Sequence, residues 1–600
     1  MPIRTRELTT CNPRHGRSLR WLTNPLRSLV CIAAFSAVST VQAQDTTSKR
    51  DPEDFQRHFT DKETPPFPEY IYESIPPIEN SASDFVPIPD RWRMFYVGKW
   101  HDPYNQNVLK GDIPIFGKGD NLWFSEVSLI SDTMYESRRI PVPVGFASTK
   151  RPNSNNVFGN GNQWAFVENF IPSIGLIKGN TSFKPPDFEF RVTPVFNFNH
   201  VEVGEDGLVK ADPAFGSTRS DTYIGFQELF ADMHLANLSE RYDFVSSRVG
   251  IQQFNADFRG FLYNDSEPGV RIFGNYDNNK TQFNLAGFSR VDKDVNSGVN
   301  TWTDRHEDVF VANVYRQDLL ALGHTTTASI VHREDTAGDA GYRYDRNDFL
   351  VRPTAIGDQR FRNLYTTYFG LGGDGHFGRL NSTTQMYYVT GSESHSPIAN
   401  RQVSVNAGMF AQEFSYDVDW VRFRTSFFYA SGDRDPYDGQ ANGFDAIFDN
   451  PNFAGGDLAF WQREAIPFVG GGGTNLVNRN SLLPNLRPGK EMGQSNFVNP
   501  GIRLYNLGVD FELLPQLKLI TNASFLQFDQ VAVIEALRQD GSVNRDIGVD
   551  LSAGFLYRPF LNNNVIIRVG SGVLLPGQGQ KNLFGNQINY EAFTNFIFQY

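Results

Sequence analysis

Basic residues recur along this chain at alternate positions of short segments whose other positions are apolar, and that spacing gives them a chemistry to perform. Arg191, Arg248, Arg271, Arg379, Arg422, Arg424, Lys518 and Arg568 stand this way, interleaved with the acids Glu189, Glu228, Asp232, Asp510, Glu512 and Asp550. Successive side chains of an extended strand point to opposite faces, so each of these groups shares a polar face and backs onto an apolar one. Arg422 and Arg424 are the sharpest pair, two residues apart, with Val421, Phe423, Thr425, Phe427 and Tyr429 on the reverse face. Two guanidinium groups so placed can hold the carboxylates of an anionic solute. The same spacing suits cross-strand pairing with acids that only neutralises charge. Neither sign dominates the set, so ion preference stays open.

Other chemistries are less well supplied. Asp433, Asp435 and Asp438 precede Gly439 in a short turn, which resembles a calcium loop in its close oxygen donors. The spacing is not that of an EF-hand and the closing glutamate is missing, so an acidic surface turn is the better reading. The run 470–473 is four glycines without the lysine and hydroxyl residue of a phosphate-binding loop. The ten histidines form no HExxH pair, and no Gly-x-Ser-x-Gly elbow is present. No enzyme, cofactor or metal site is expected.

The elements that must position these residues are strands. In 187–200, Phe188, Phe190, Val192, Phe196 and Phe198 alternate with Glu189, Arg191, Thr193, Asn197 and Asn199. Val245, Ser247, Val249 and Ile251 oppose Ser246, Arg248, Gly250 and Gln252, and Val403, Val405, Ala407 and Met409 oppose Ser404, Asn406, Gly408 and Gln412. Later, Ile547, Val549, Leu551, Ala553, Phe555 and Tyr557 oppose Gly548, Asp550, Ser552 and Gly554, and Val565, Ile567 and Val569 oppose Arg568, Gly570 and Gly572. The last eleven residues, YEAFTNFIFQY, put Tyr590, Ala592, Thr594, Phe596, Phe598 and Tyr600 on one face. Such a strand left unpaired at a terminus is an aggregation hazard, whereas closing a barrel on it removes the edge.

Counting alternating segments gives about 16–18 strands from residue 119 to the end, with 163–171 and 531–537 the uncertain ones. The expected fold is all-β, a transmembrane antiparallel up-and-down barrel wide enough for an aqueous lumen. Connectors at 276–280, 514–515 and 559–564 read as short turns. The excursion 433–499 does not alternate, and long connections of this kind are usually functional or disordered and face outward in such barrels.

The N-terminus carries six arginines, then the apolar run 29–38 and a small-residue site ending at Ala43, the pattern of a secretory signal peptide over 1–43. Both cysteines, Cys11 and Cys31, lie within it, which excludes disulfides and thiolate chemistry from an exported mature chain. Losing the six arginines and Glu7 moves the formal charge from −12 to −17, which argues against nucleic acid as a partner. Residues 44–118 form a proline-rich extension with an aromatic tract, 91–114, expected to dock on the barrel.

Two stretches resemble the alginate-export family of outer-membrane barrels. One is 228–288, with MHLAN and then Arg248-Val-Gly-Ile-Gln-Gln253; the other is 429–448, YASGDRDPYDGQANGFDAIF, with a strand end, an acidic turn and a Phe-Asp motif. The resemblance implies a porin-like barrel of about 18 strands in the Gram-negative outer membrane, passing an acidic polysaccharide through an arginine-lined constriction. Its implied partners are outer-membrane lipid, the barrel-assembly machinery that reads the aromatic terminus, and the hydrophilic solute or anionic polysaccharide itself. The sequence departs from the pattern at Ile251, where the family tends to have arginine. The competing readings are an active receptor plugged by 44–118, a surface adhesin or scaffold using the long loop, and a barrel hydrolase.

Overall fold

The computed structural model describes residues 106–600 except 120, 143–158, 180, 182–184, 242, 337–340, 352–361, 397, 465, 469–471, 475–491 and 540. The signal segment, most of the proline-rich extension and the glycine run at 470–473 lie wholly or largely outside the described residues.

Among the described residues, period-two patterning becomes twenty-one strands. The first nine are β1 Trp123–Arg139, β2 Asn162–Lys178, β3 Phe188–Val203, β4 Thr218–Asn237, β5 Phe244–Asn255, β6 Asn264–Tyr276, β7 Thr281–Lys293, β8 Asn300–Gln317 and β9 His324–Asp335. There follow β10 Leu364–Phe377, β11 Leu380–Ser396, β12 Arg401–Val418, β13 Val421–Ala430 and three short ones, β14 Gln440–Ala441, β15 Ile466–Phe468 and β16 Gly472–Thr474. The last five are β17 Ile502–Leu514, β18 Leu517–Phe528, β19 Asp546–Tyr557, β20 Val565–Pro576 and β21 Asn589–Gln599.

Eighteen of these, β1–β13 and β17–β21, pair antiparallel in chain order and close on themselves. The seam is β1 on β21, with Ile130 opposite Gln599 and Arg139 opposite Tyr590. The terminal strand therefore has a partner on each side, and closure leaves the barrel no free edge. On β21, Phe598 is half exposed on the outside while Glu591, Phe593 and Asn595 are buried on the inside. The same division runs round the ring: Phe196, Phe369, Tyr505, Leu551 and Phe555 stand outward and exposed, and Asn197, Thr366, Asn506, Asp550 and Ser552 face in and are buried. An apolar exterior over a polar interior is the inverse of a soluble sandwich.

The short turns gather at the end that holds the C-terminus. Between β6 and β7, Asp277, Asn278 and Asn279 all take left-handed backbone (φ 58, 58 and 64°), a conformation that Asn and Asp tolerate better than other side chains. Residues 106–119 dock at the same end: the Val127 N–H donates to the Leu109 carbonyl at 2.6 Å, and the Lys110 ammonium lies 4.1 Å over the Tyr600 ring.

One expected strand is not a strand. The stretch 531–537 lies in the connection between β18 and β19, which carries the helix Ala532–Arg538. Val533, Ile534 and Leu537 are its buried residues, a helical spacing, and a short apolar run does not distinguish that period from a buried strand. No helix among the described residues is long and apolar enough to cross a membrane, which says nothing of crossing by strands.

Candidate functional site

Two connections turn into the lumen instead of standing clear of it. The first, 256–263, is organised by one carboxylate. Asp257 accepts the N–H groups of Arg259 (2.9 Å), Gly260 (2.6 Å), Phe261 (3.1 Å) and Leu262 (3.1 Å), and the Tyr387 hydroxyl at 3.0 Å. It thereby closes the turn on itself and ties it to β11.

The second is the long excursion after β13. Its part near 447–452 runs beside the first: the Phe448 N–H donates to the Leu262 carbonyl (3.0 Å), the Asn450 N–H to Gly260 (2.9 Å) and the Asn264 N–H to Phe448 (2.9 Å). Phe261 meets Phe453 edge-on at 5.3 Å. Backbone pairing and aromatic packing make the two loops one body.

That body crosses the lumen from wall to wall. On one side it rests on a charge cluster from β6–β9. Glu307 lies 2.9 Å from Arg290, 2.6 Å from Arg305 and 2.7 Å from Arg333, all four side chains having almost no exposure. The Phe448 ring covers the Arg290 guanidinium at 4.6 Å, and Arg333 donates to the Ser495 hydroxyl at 2.6 Å. On the other side the helix Phe460–Arg463 meets β1 and β19–β21. Arg463 binds Glu136 at 2.6 Å, Arg138 binds Glu464 at 2.9 Å, and the Trp461 N–H donates to Asp550 at 3.0 Å. Since β8 and β20 stand nine places apart in the ring of eighteen, the crossing is diametric.

Glycine makes the landing possible. A Cβ on Gly554 or Gly570 would lie 2.5 or 2.6 Å from a Leu458 methyl, and one on Gly572 would lie 3.2 Å from the Phe460 nitrogen. The inward faces of β19 and β20 are therefore flat where Leu458 and Phe460 seat. In the sequence these glycines read only as members of a polar face.

The candidate basic residues are dispersed, each with a partner. Arg191 bridges Glu126 (2.7 Å) and Glu189 (2.8 Å), and Arg248 binds Asp232 at 2.9 Å. Arg271 donates to Asn284 at 2.7 Å. Arg422 and Arg424 separate: the first binds Asp417 near the short-turn rim (2.5 Å), the second Asp510 (2.7 Å). Lys518 binds Glu512 at 3.0 Å, Arg568 binds Asp457 of the long loop, and Arg379, in the turn before β11, donates to the Asp417 carbonyl at 3.0 Å. Charge pairing across strands accounts for the contacts of Arg191 with Glu126, Arg248, Arg422, Arg424 and Lys518. Glu136, Arg138, Arg333, Arg463 and Glu464 did not stand out in the sequence, because their contacts between loop and wall link residues 162 to 327 positions apart, and Glu307 gathers Arg290 and Arg333 from the strands on either side. The Phe444-Asp445 motif was the visible signal, and Asp445 does hold the loop, accepting the Asn496 N–H at 2.7 Å.

The acidic turn is explained without a metal. Asp433, Asp435 and Asp438 each accept the backbone N–H two residues on, from Asp435 (3.3 Å), Tyr437 (3.1 Å) and Gln440 (2.6 Å), as Asp does in turns. Among the described residues no group of three or more potential ligands gathers to hold an ion.

Glu464 is expected to make the docking pH-dependent. Burial pushes its carboxyl from 4.5 up to about 8; Arg138 opposes the rise, Glu136 adds to it and Arg463 also opposes it. An acid whose docked pKa exceeds its free value binds a proton on docking. The stabilisation is complete below about 4.5 and is lost as pH rises through about 8. Single-channel conductance in planar bilayers is accordingly expected to be lower at pH 5 than at pH 9, and Glu464→Gln to flatten the difference.

Two cavities among the described residues bear on the lumen. One of about 890 Å³ opens at the short-turn end beside Lys110, Asp132, Arg191, Glu228 and Tyr600. The other, of about 670 Å³, lies between the two loops, β10 and β20.

No protein-family model matches the chain, and no curated protein matches it. Solved structures similar to it include Pseudomonas aeruginosa OccK7 (OpdD), at 10% identity and TM-score 0.42, covering 79% of this chain and 98% of that one. Acinetobacter baumannii OccAB3 is similar at 11% identity and TM-score 0.43, covering 79% and 99%. Pseudomonas aeruginosa OpdK, solved with vanillate, is similar at 10% identity and TM-score 0.41, covering 79% and 98%.

Proposed function

We propose that the protein is an outer-membrane channel of a Gram-negative bacterium that passes small hydrophilic solutes, anionic ones among them. The observation that carries this reading is the closed barrel with an apolar exterior and a polar, charge-paired lumen narrowed by its own loops. Lipid contacts the outward aromatics, water and solute use the interior, and the crossing loop sets what fits. Export of an acidic polysaccharide, implied by the sequence resemblance, needs a continuous path for a polymer. A loop that spans the diameter and lines a cavity of about 670 Å³ suits small solutes better.

Purified protein reconstituted in planar bilayers is expected to give unitary conductance steps in potassium chloride. With neither lumen sign dominant, the reversal potential under a salt gradient is expected to show weak ion selectivity. Complete absence of conductance across pH 5–9 would overturn the channel reading.

A further inference from the structure

We infer that the cavity between the two infolded loops is a binding site for a neutral polyhydroxylated solute of mono- or disaccharide size. The inference rests on the channel reading for its role in transport, while the binding it asserts stands separately.

The cavity wall contains two cations, Arg259 and Arg568, and two acids, Asp374 and Asp457. Arg259 lies 3.5 Å from Asp374, and Arg568 is paired with Asp457. A carboxylate solute would have to displace a resident acid from its guanidinium, losing about as much as it gains. A hydroxyl displaces nothing. It accepts from a guanidinium N–H and donates to a carboxylate lone pair that the ion pair leaves over.

The remaining polar wall has the same two-way character. Asn255, Asn264, Asn450 and Asn452 line the cavity, and each amide offers both donors and an acceptor. Phe258 contributes an apolar wall and is held edge-on by Tyr315 at 5.2 Å. Amides, balanced ion pairs and one aromatic face complement a molecule whose rim is hydroxyl and whose faces are C–H. A volume of about 670 Å³ lies within the range of small-molecule sites.

The test is calorimetric titration of the full-length folded protein in detergent with sucrose and, separately, with benzoate. Saturable sucrose binding is expected, weakened tenfold or more by Asn452→Leu, with benzoate giving no saturable heat. Asn452 is exposed, so the variant keeps its fold. Asn255→Leu, checked for folding by circular dichroism, is expected to weaken sucrose binding likewise. Benzoate binding in place of sucrose, no sucrose binding, or unchanged sucrose binding in both variants would overturn the proposal. Bilayer conductance without sucrose binding removes this site and leaves the channel. Sucrose binding without conductance leaves the site and removes the channel.

Discussion

Gly570→Leu is expected to release the long loop from the barrel wall and raise single-channel conductance severalfold. A Cβ at this position would lie 2.6 Å from a Leu458 methyl and 2.5 Å from the Phe593 ring, so the larger side chain and the docked loop compete for one space. Overpacking of this kind costs about 1–3 kcal/mol, and each 1.4 kcal/mol is about tenfold in an equilibrium. The ladder pairing Gly570 with Gly554 and Phe593 uses only backbone. Circular dichroism should therefore report an unchanged barrel while the current rises. Unchanged conductance in a folded variant would show that the loop is not what narrows the lumen.

Glu307→Gln is expected to be the most destabilising single change in the lumen. Its carboxylate is shared by Arg290, Arg305 and Arg333, all buried, and neutralising it leaves three cations with fewer acids between them. Removing one partner of a buried ion pair costs about 3–5 kcal/mol, far more than the pair itself contributes. Glu512→Gln is the matched control. Its carboxylate faces Lys518 at 3.0 Å but is half exposed, and a pair of that kind is worth about 0–1 kcal/mol. Urea unfolding of both variants in lipid vesicles measures the difference. Equal midpoints would mean that the cluster holds the loop without holding the barrel.

The architecture was legible because closing a barrel is a repetitive problem. Alternation at 187–200, 547–557 and 590–600 assigned each side chain to lipid or lumen one strand at a time, with no long-range information needed. The helix at Ala532–Arg538 escaped this reading, since a run of seven residues with Val533, Ile534 and Leu537 fits either period. The fate of 433–499 escaped it for a different reason. A long non-alternating segment announces that it is a loop, but not which way it turns.

By itself, then, the sequence determined most of the strands, their inward and outward faces and the strand that closes the ring, because these follow from a period of two and the chemistry of turns. Only the tertiary structure decided what fills the lumen. Arg463 meets Glu136 across 327 residues of sequence, and Leu458 finds room only because Gly554 and Gly570 stand side by side in register. Loop direction is set by contacts between parts of the chain that no local pattern relates, which is why the basic residues chosen for their spacing proved dispersed and paired, and the crossing loop had to be seen.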